Sequence, residues 1–269
     1  MDFSKLVLMS DLDGTLFNSE CKISVRNKKA IQMFTENGGR FGISTGRTPM
    51  NSKPLIEGVC INTPSIVFNG SGLYDFHTET LLETFFLQKE RLIPMITNCL
   101  GRHPNIDIQI YSENEINFVS PRETSDPDFI TMHSPCVFKS LQEVFKENWL
   151  KILFCGEHQE LEELQQEFKK EGIEESVHIV FSSEIFLEIL PSGINKGSAL
   201  AWLKDHLKEE HRVFCAVGDY YNDIELLKEA DVAATPSNGV NAVKKLADQI
   251  LVSNDEDAIA DFIVRLSKL

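Results

Sequence analysis

Residues 5–16 read Lys-Leu-Val-Leu-Met-Ser-Asp-Leu-Asp-Gly-Thr-Leu, a short apolar run that ends on two aspartates and a glycine. Lys5–Ser10 reads as a buried strand that stops at Asp11. Downstream, Ser24 stands as an N-cap before a helical pattern through Ala30, Ile31 and Phe34, and Asn37-Gly38-Gly39 ends it. Arg40–Ser44 reads as a second strand, and Thr48-Pro49 opens a helix with proline in its first position. Ser65–Phe68 reads as a third apolar strand. Strand, helix, strand, helix, strand predicts a parallel sheet with right-handed crossovers. Asn69-Gly70 and Gly72 mark turns, with a hairpin over Gly72–Phe85.

The pattern changes after about residue 86. Helix (89–100), paired strands (107–110, 116–119), a polar loop (121–135), helix (140–147), strand (150–154), an acidic helix (158–170) and two strands (178–181, 186–190) form an α+β series. Alternation then resumes: helix 196–208, strand 213–217, helix 222–229, strand 232–234, helix 240–246, strand 249–252 and helix 256–267. The expected organisation is one α/β core made of residues 1–85 and 190–269, interrupted by an α+β insert at 86–189.

The chain has 269 residues, with 26 Lys+Arg against 41 Asp+Glu, a formal charge of −15. That balance argues against a nucleic-acid partner and against an anionic membrane surface. No apolar run has the length of a membrane span, and Met1–Ser10 has no long apolar core of the kind a signal peptide carries. The six cysteines lie far apart without a C-x-x-C pair, which reads as reduced thiols in a cytoplasm. The seven histidines form no H-x-x-x-H, so zinc is not expected.

Four places carry chemistry, each at a strand end or helix start. Asp11-x-Asp13-Gly14-Thr15 puts two carboxylates two residues apart, which repel unless a cation or separate roles justify them; the plain alternative is an acidic turn. Thr45-Gly46-Arg47 precedes a helix start, where N–H groups and the dipole favour an anion; Gly46 would let backbone approach it closely. Lys196 begins a helix, against the dipole, an arrangement that a nearby anion would offset; a solvated lysine is the alternative. Gly218-Asp219-x-x-Asn222-Asp223 follows an apolar strand; helix capping by Asn222 and a dipole role for Asp223 would account for those two residues but not for Asp219. Oxygen ligands without Cys or His select a hard cation, most naturally Mg²⁺.

Taken in order, these four motifs resemble the signature of the haloacid dehalogenase superfamily. The insert between the second and third, with Ser44-Thr45-Gly46-Arg47, Asn69-Gly70 and Lys196-Gly197, resembles its Cof-type (class IIB) hydrolases. The resemblance implies a Rossmann-like parallel-sheet core with an inserted α+β cap. It implies a Mg²⁺-dependent phosphatase of small phosphate esters, sugar phosphates foremost, working through an aspartyl-phosphate. Asp11 would be the nucleophile and Asp13 the acid and base. Asp11, Asp219 and the Asp13 backbone carbonyl would hold the metal, with Asp223 behind the metal or Lys196. Thr45, Gly46, Lys196 and Asn222 would hold phosphate; Arg47, Asn69 and, on the insert, Glu188 are substrate-contact candidates. For Arg47 a structural salt bridge, and for Glu188 an outward-facing strand acid, are the alternatives. The insert would be a lid that excludes water and selects the leaving group. A phosphomutase is the alternative chemistry, and a phospho-aspartate signalling module the alternative class.

Overall fold

Successive residues of Leu6–Ser10 point to opposite sides of a sheet, and both sides are apolar. Val7 and Met9 join one buried cluster and Leu8 the other. The computed structural model describes residues 2–120, 126, 136–207 and 212–268. Its strands are, in chain order, β1 (Leu6–Ser10), β2 (Arg40–Ile43), β3 (Ser65–Val67), β4 (Gly72–Asp75), β5 (Thr80–Thr84), β6 (Asp107–Tyr111), β7 (Ile116–Phe118), β8 (Cys136–Phe138), β9 (Lys151–Cys155), β10 (Val177–Ser183), β11 (Phe186–Pro191), β12 (Val213–Val217), β13 (Val232–Thr235) and β14 (Gln249–Ile250). The predicted loop 121–135 lies outside the described residues apart from Asp126.

The chain divides into two compact units, Met1–Glu83 with Asn195–Leu269, and Thr84–Ile194. In the first, five parallel strands lie in the order β14-β13-β12-β1-β2. Helices Val25–Glu36 and Ala258–Leu266 cover one face through Ile31, Phe34, Ile259, Phe262 and Ile263. Helices Lys196–His206 and Ile224–Glu229 cover the other through Ala199, Leu200, Leu203 and Leu226. Ser24 caps its helix by accepting from the Asn27 N–H, and Thr48 does the same for Asn51 ahead of Pro49.

The third predicted strand behaves differently from expectation. Among the described residues β3 meets the parallel sheet through a single parallel Ser44–Ile66 bridge, and it forms a three-stranded sheet with the hairpin β4–β5. The turn at Phe68-Asn69-Gly70 sends the chain straight back along β3, so β3 gains an antiparallel partner.

In the second unit six strands run β10-β11-β9-β6-β7-β8. Ile108, Ile110, Ile152, Phe154, Leu187 and Ile189 face helices Leu92–Arg102 and His158–Lys170. By alternation Lys151 and Glu188 lie on the other face. Residues 190–194, placed in the core by the sequence reading, cluster with this unit because β11 continues through Pro191, which pairs with Val177. No helix among the described residues is long and apolar enough to cross a membrane.

Candidate active site

β1 and β12 are neighbours, and the chain leaves them for opposite sides of the sheet, β1 toward β2 and β12 toward β13. Such a switch point opens a crevice beyond the carboxyl ends of the strands. β1 delivers Asp11 there, and β12 delivers Gly218-Asp219. Helix Lys196–His206 begins beside it. Asn195 caps that helix, its Oδ1 accepting from the Ser198 N–H at 2.8 Å while Ser198 Oγ accepts from the Asn195 N–H at 3.0 Å.

Lys196 is the centre of the arrangement. Its Nζ donates to Asp11 Oδ1 and to Asp223 Oδ1, both at 2.6 Å, and its side chain has 0% exposure. The solvated-lysine alternative is thereby excluded. Asp223 accepts with its other oxygen from the N–H groups of Asp219 (2.9 Å) and Tyr220 (3.2 Å), which fixes the loop after β12. Thr15 Oγ1 donates to Asp219 Oδ1 at 2.9 Å. Gly14 is required between them: its φ is +74°, and a Cβ there would lie 2.4 Å from Asp219 Oδ2.

Asp11, Asp219 and Asp223 thus bring carboxylate oxygens within 4.8 Å of one another. Burial pushes the Asp11 carboxyl well above its ordinary range; Lys196 pulls it back, and Asp223, Asp219 and Asp13 push it further. Burial, then Asp223, raise Asp219 to about 7 against the opposing Thr15 hydroxyl and Lys196. Burial also penalises the Lys196 ammonium, but Asp11 and Asp223 outweigh it and hold the amine above its ordinary value. Three carboxylates around one ammonium make a crowded, oxygen-only, negative donor set. That is the chemistry a hard divalent cation fits.

The Asp13 side chain is not one of these three grouped carboxylates. Arg47 clamps it with two bonds, Nε to Oδ2 and Nη2 to Oδ1, each 2.7 Å. The Asp13 side chain is 48% exposed and Arg47 9%, so the acid reaches solvent while the guanidinium is packed. Arg47 therefore forms the salt bridge that the sequence left as one of its two readings.

Thr45, Gly46, Asn69 and Asn222 form a second group. Thr45 is buried, its Oγ1 accepting from the Arg47 N–H at 3.1 Å and its own N–H donating to Ile66 O at 2.9 Å. Asn222 caps nothing: helix Ile224–Glu229 has no side-chain cap bond, and Asn222 Nδ2 instead donates to Asn69 Oδ1 at 3.0 Å. Asn69 itself is buried with a left-handed φ of 54°.

Glu188 lies in the second unit and is no outward-facing acid. It is buried, with Oε2 accepting from Lys151 Nζ at 2.7 Å and Oε1 from Ser182 Oγ at 2.5 Å.

Sequence reasoning gave no role to Thr15, and it missed Asn238 and Asn254. Asn238 Nδ2 donates to Gly14 O at 2.8 Å and its Oδ1 accepts from the Asn254 N–H at 3.0 Å, while Asn254 Nδ2 donates to Phe17 O at 2.9 Å. The two asparagines pin the turn that carries Asp13. The only local signal was Ser237-Asn238-Gly239, which says turn and nothing more.

The family model described as haloacid dehalogenase-like hydrolase matches residues 8–263. A 5-amino-6-(5-phospho-D-ribitylamino)uracil phosphatase, YcsE, of Bacillus subtilis (strain 168) is 32% identical over 254 residues, covering 94% of this chain and 92% of that protein. The pyridoxal phosphate phosphatase YbhA of Escherichia coli (strain K12) is 27% identical over 268 residues, covering 96% and 97%. The crystal structure of a haloacid dehalogenase-like hydrolase from Bacteroides thetaiotaomicron superposes with a TM-score of 0.79 at 26% identity, over 97% of this chain and 98% of that one.

Proposed function

Because the chain belongs to the haloacid dehalogenase-like hydrolases, in their Cof-type branch, we propose that it is a Mg²⁺-dependent phosphatase of small phosphate esters that works through an aspartyl-phosphate on Asp11. The observation that carries this reading is the Lys196 clamp. It fixes Asp11 Oδ1 and leaves the other carboxylate oxygen as the nucleophile, beside a carboxylate cluster that suits a hard cation.

Asp11 attacks phosphorus, the bond to the leaving oxygen breaks, and Asp13 donates a proton to that oxygen. Asp13 then takes a proton from water, whose oxygen attacks phosphorus and breaks the bond to Asp11. Arg47 holds Asp13 where it meets solvent, the side from which water arrives. Thr45, Gly46, Asn222 and Lys196 are assigned the phosphoryl oxygens. Asp11 and Asp219, with the Asp13 backbone carbonyl, would hold Mg²⁺, which when bound offsets the repulsion between nucleophile and substrate, while Asp223 stands behind them on Lys196 and the loop N–H groups. The unit Thr84–Ile194 is assigned selection of the leaving group.

The relatives' named activities, on a phosphorylated ribitylaminouracil and on pyridoxal phosphate, support a small phosphate ester as the substrate. Small sugar and polyol phosphates are the leading candidates. A phosphate-release screen over sugar phosphates, ribitylaminouracil phosphate, pyridoxal phosphate and nucleotides, with and without Mg²⁺, tests the reading. Metal-dependent release from at least one small ester is expected. Isomer formation from a hexose phosphate without release would convert the reading to a mutase, and no turnover of any ester would end it.

Asp13→Asn is expected to lower kcat by about 10²–10⁴-fold through lost proton transfer. The same variant should lose less on a substrate with a good leaving group, such as an aryl phosphate, because protonation matters less there. Equal losses on both would remove the acid role.

Asp219→Asn tests the metal separately from turnover. A carboxyl raised to about 7 from the ordinary 3.8 contributes stability below pH 4 that is lost as pH rises through 7. The metal-free variant should therefore melt about 2–8 °C above metal-free wild type at pH 8. Mg²⁺ should raise the wild-type melting temperature and leave the variant unchanged. The same Mg²⁺-induced rise in both proteins would place the metal elsewhere.

A further inference from the structure

We infer that Asn69 is an anion-binding residue of this site, its carboxamide Nδ2 held between Gly46 and Asn222 to donate to a phosphoryl oxygen. The inference rests on the phosphate-ester reading above.

The backbone shows that the position is imposed. Phe68 and Asn69 both have left-handed φ values, 53° and 54°. Such angles are uncommon outside glycine, and for a bulky residue such as Phe they are an outlier that the surroundings must enforce. Three backbone bonds do so: Phe68 N–H to Arg47 O at 3.1 Å, Asn69 N–H to Thr45 O at 3.0 Å, and Thr45 N–H to Ile66 O at 2.9 Å. The strained turn is therefore tied to the Thr45-Gly46-Arg47 loop.

The side chain is placed as firmly. Oδ1 accepts from Asn222 Nδ2, which orients the amide plane. Nδ2 is then buried, Asn69 being 1% exposed, and has no hydrogen-bond partner among the described residues. A buried donor left unpaired is costly and calls for an acceptor. Gly46 leaves room for the amide: a Cβ at 46 would stand 2.8 Å from Asn69 Nδ2. The glycine thus serves the neighbouring carboxamide as well as any approach of backbone to ligand.

The chemistry of the acceptor follows from the surroundings. Lys196 and Arg47 are engaged with carboxylates. A neutral amide is not drawn into such pairs, so it remains a donor for an anionic oxygen from outside the chain. A phosphoryl oxygen is that acceptor in this crevice.

Isothermal titration of inorganic phosphate into the full chain with Mg²⁺ present tests this. The proteins are wild type, Asn69→Gly, Asn222→Ala and the double variant. Glycine accepts φ of 54°, so Asn69→Gly removes the amide without adding strain. We expect it to weaken phosphate binding by about 10–100-fold, and to do so again in the Asn222→Ala background. If the loss vanishes in that background, Asn69 acts only by positioning Asn222 and the inference is overturned. It is also overturned by wild-type affinity in Asn69→Gly or by a wild-type protein that does not bind phosphate. Should Asn69→Gly melt far below wild type, Asn69→Asp replaces it; that variant keeps the Asn222 acceptor and turns the donor into a second oxygen, and wild-type affinity there refutes the donor role. Phosphate release by wild type, measured alongside, separates the two readings. Turnover with an unaffected Asn69→Gly defeats this inference alone, and Asn69-dependent binding without turnover of any ester defeats the hydrolase reading alone.

Discussion

Asp11→Asn is expected to cut phosphate release to below about 0.1% of wild type while leaving the fold intact, because under the proposed mechanism it removes the nucleophile itself rather than an aid to it. The amide keeps the shape of the carboxylate and can still accept from Lys196. It cannot form a stable phosphoryl ester. The local cost to stability is small. Asp11 is a buried carboxyl whose proton affinity burial has raised, so neutralising it relieves part of the crowding with Asp219 and Asp223. The metal-free variant should melt no lower than metal-free wild type. Residual activity above a few per cent in Asp11→Asn would remove Asp11 as nucleophile.

Lys196→Met is expected to lose activity and stability together. Its ammonium is the only cation donating to both Asp11 and Asp223 among the described residues, and the three side chains are 0%, 8% and 1% exposed. Removing one partner of a buried ion pair costs about 3–5 kcal/mol because the other charge stays buried. That corresponds to a melting temperature lower by about 6–20 °C. The sign of the pH dependence follows. Without the ammonium the folded-state proton affinity of Asp11 rises further, so its contribution is intact at low pH and lost as pH rises. The deficit against wild type should therefore shrink toward pH 4. Lys196→Arg should not rescue activity, since a planar guanidinium cannot occupy a pocket cut for one Nζ between two oxygens 2.6 Å away. Lys196→Met with wild-type stability at pH 8 would show that the clamp holds nothing.

These two effects come from residues that local pattern exposed. Leu6–Ser10 ends on Asp11 as the apolar run implied, and the helix at 158–170 has the predicted bounds because its period and flanking residues agree. Ser24 and Thr48-Pro49 start helices through contacts within three residues, which sequence displays directly. Where the hydrophobic pattern misleads, a left-handed backbone turn that it does not display is the reason. β3 was read into the parallel sheet, yet the left-handed pair Phe68-Asn69 turns it into another. The last helix begins at Ala258 rather than 256, because Asp257 takes φ 70° after the short turn Asn254–Glu256.

The site divides along the same line. Asp11, Asp219, Asp223 and Lys196 were legible because each follows a strand or begins a helix. Their mutual bonds span 27 and 185 residues and could only be guessed. The Asn222–Asn69 bond spans 153 residues and the Asn238–Gly14 bond 224, and no periodicity announces either. Glu188 read as a substrate contact or as an outward-facing strand acid, because Lys151, its partner, lies 37 residues away on another strand.

The charge of −15 takes on a different meaning once the acids are located. Part of it is the buried cluster Asp11, Asp219 and Asp223, whose oxygens could hold a cation and so need not bar an anion. Glu160, Glu162, Glu163 and Glu167 lie on the helix His158–Lys170 of the other unit. Salt screens solvent-facing charge beyond about 8 Å. The global balance still disfavours polyanions such as nucleic acid.

The central claim is a phosphoryl group carried on Asp11. Acid-quenched single turnover with a good substrate in Mg²⁺, followed by peptide mass spectrometry, tests it most directly. One added phosphoryl mass is expected on the peptide carrying Asp11, appearing before free phosphate and absent in Asp11→Asn. Full phosphate release with no modified peptide at any quench time, or modification of a different residue, would contradict it.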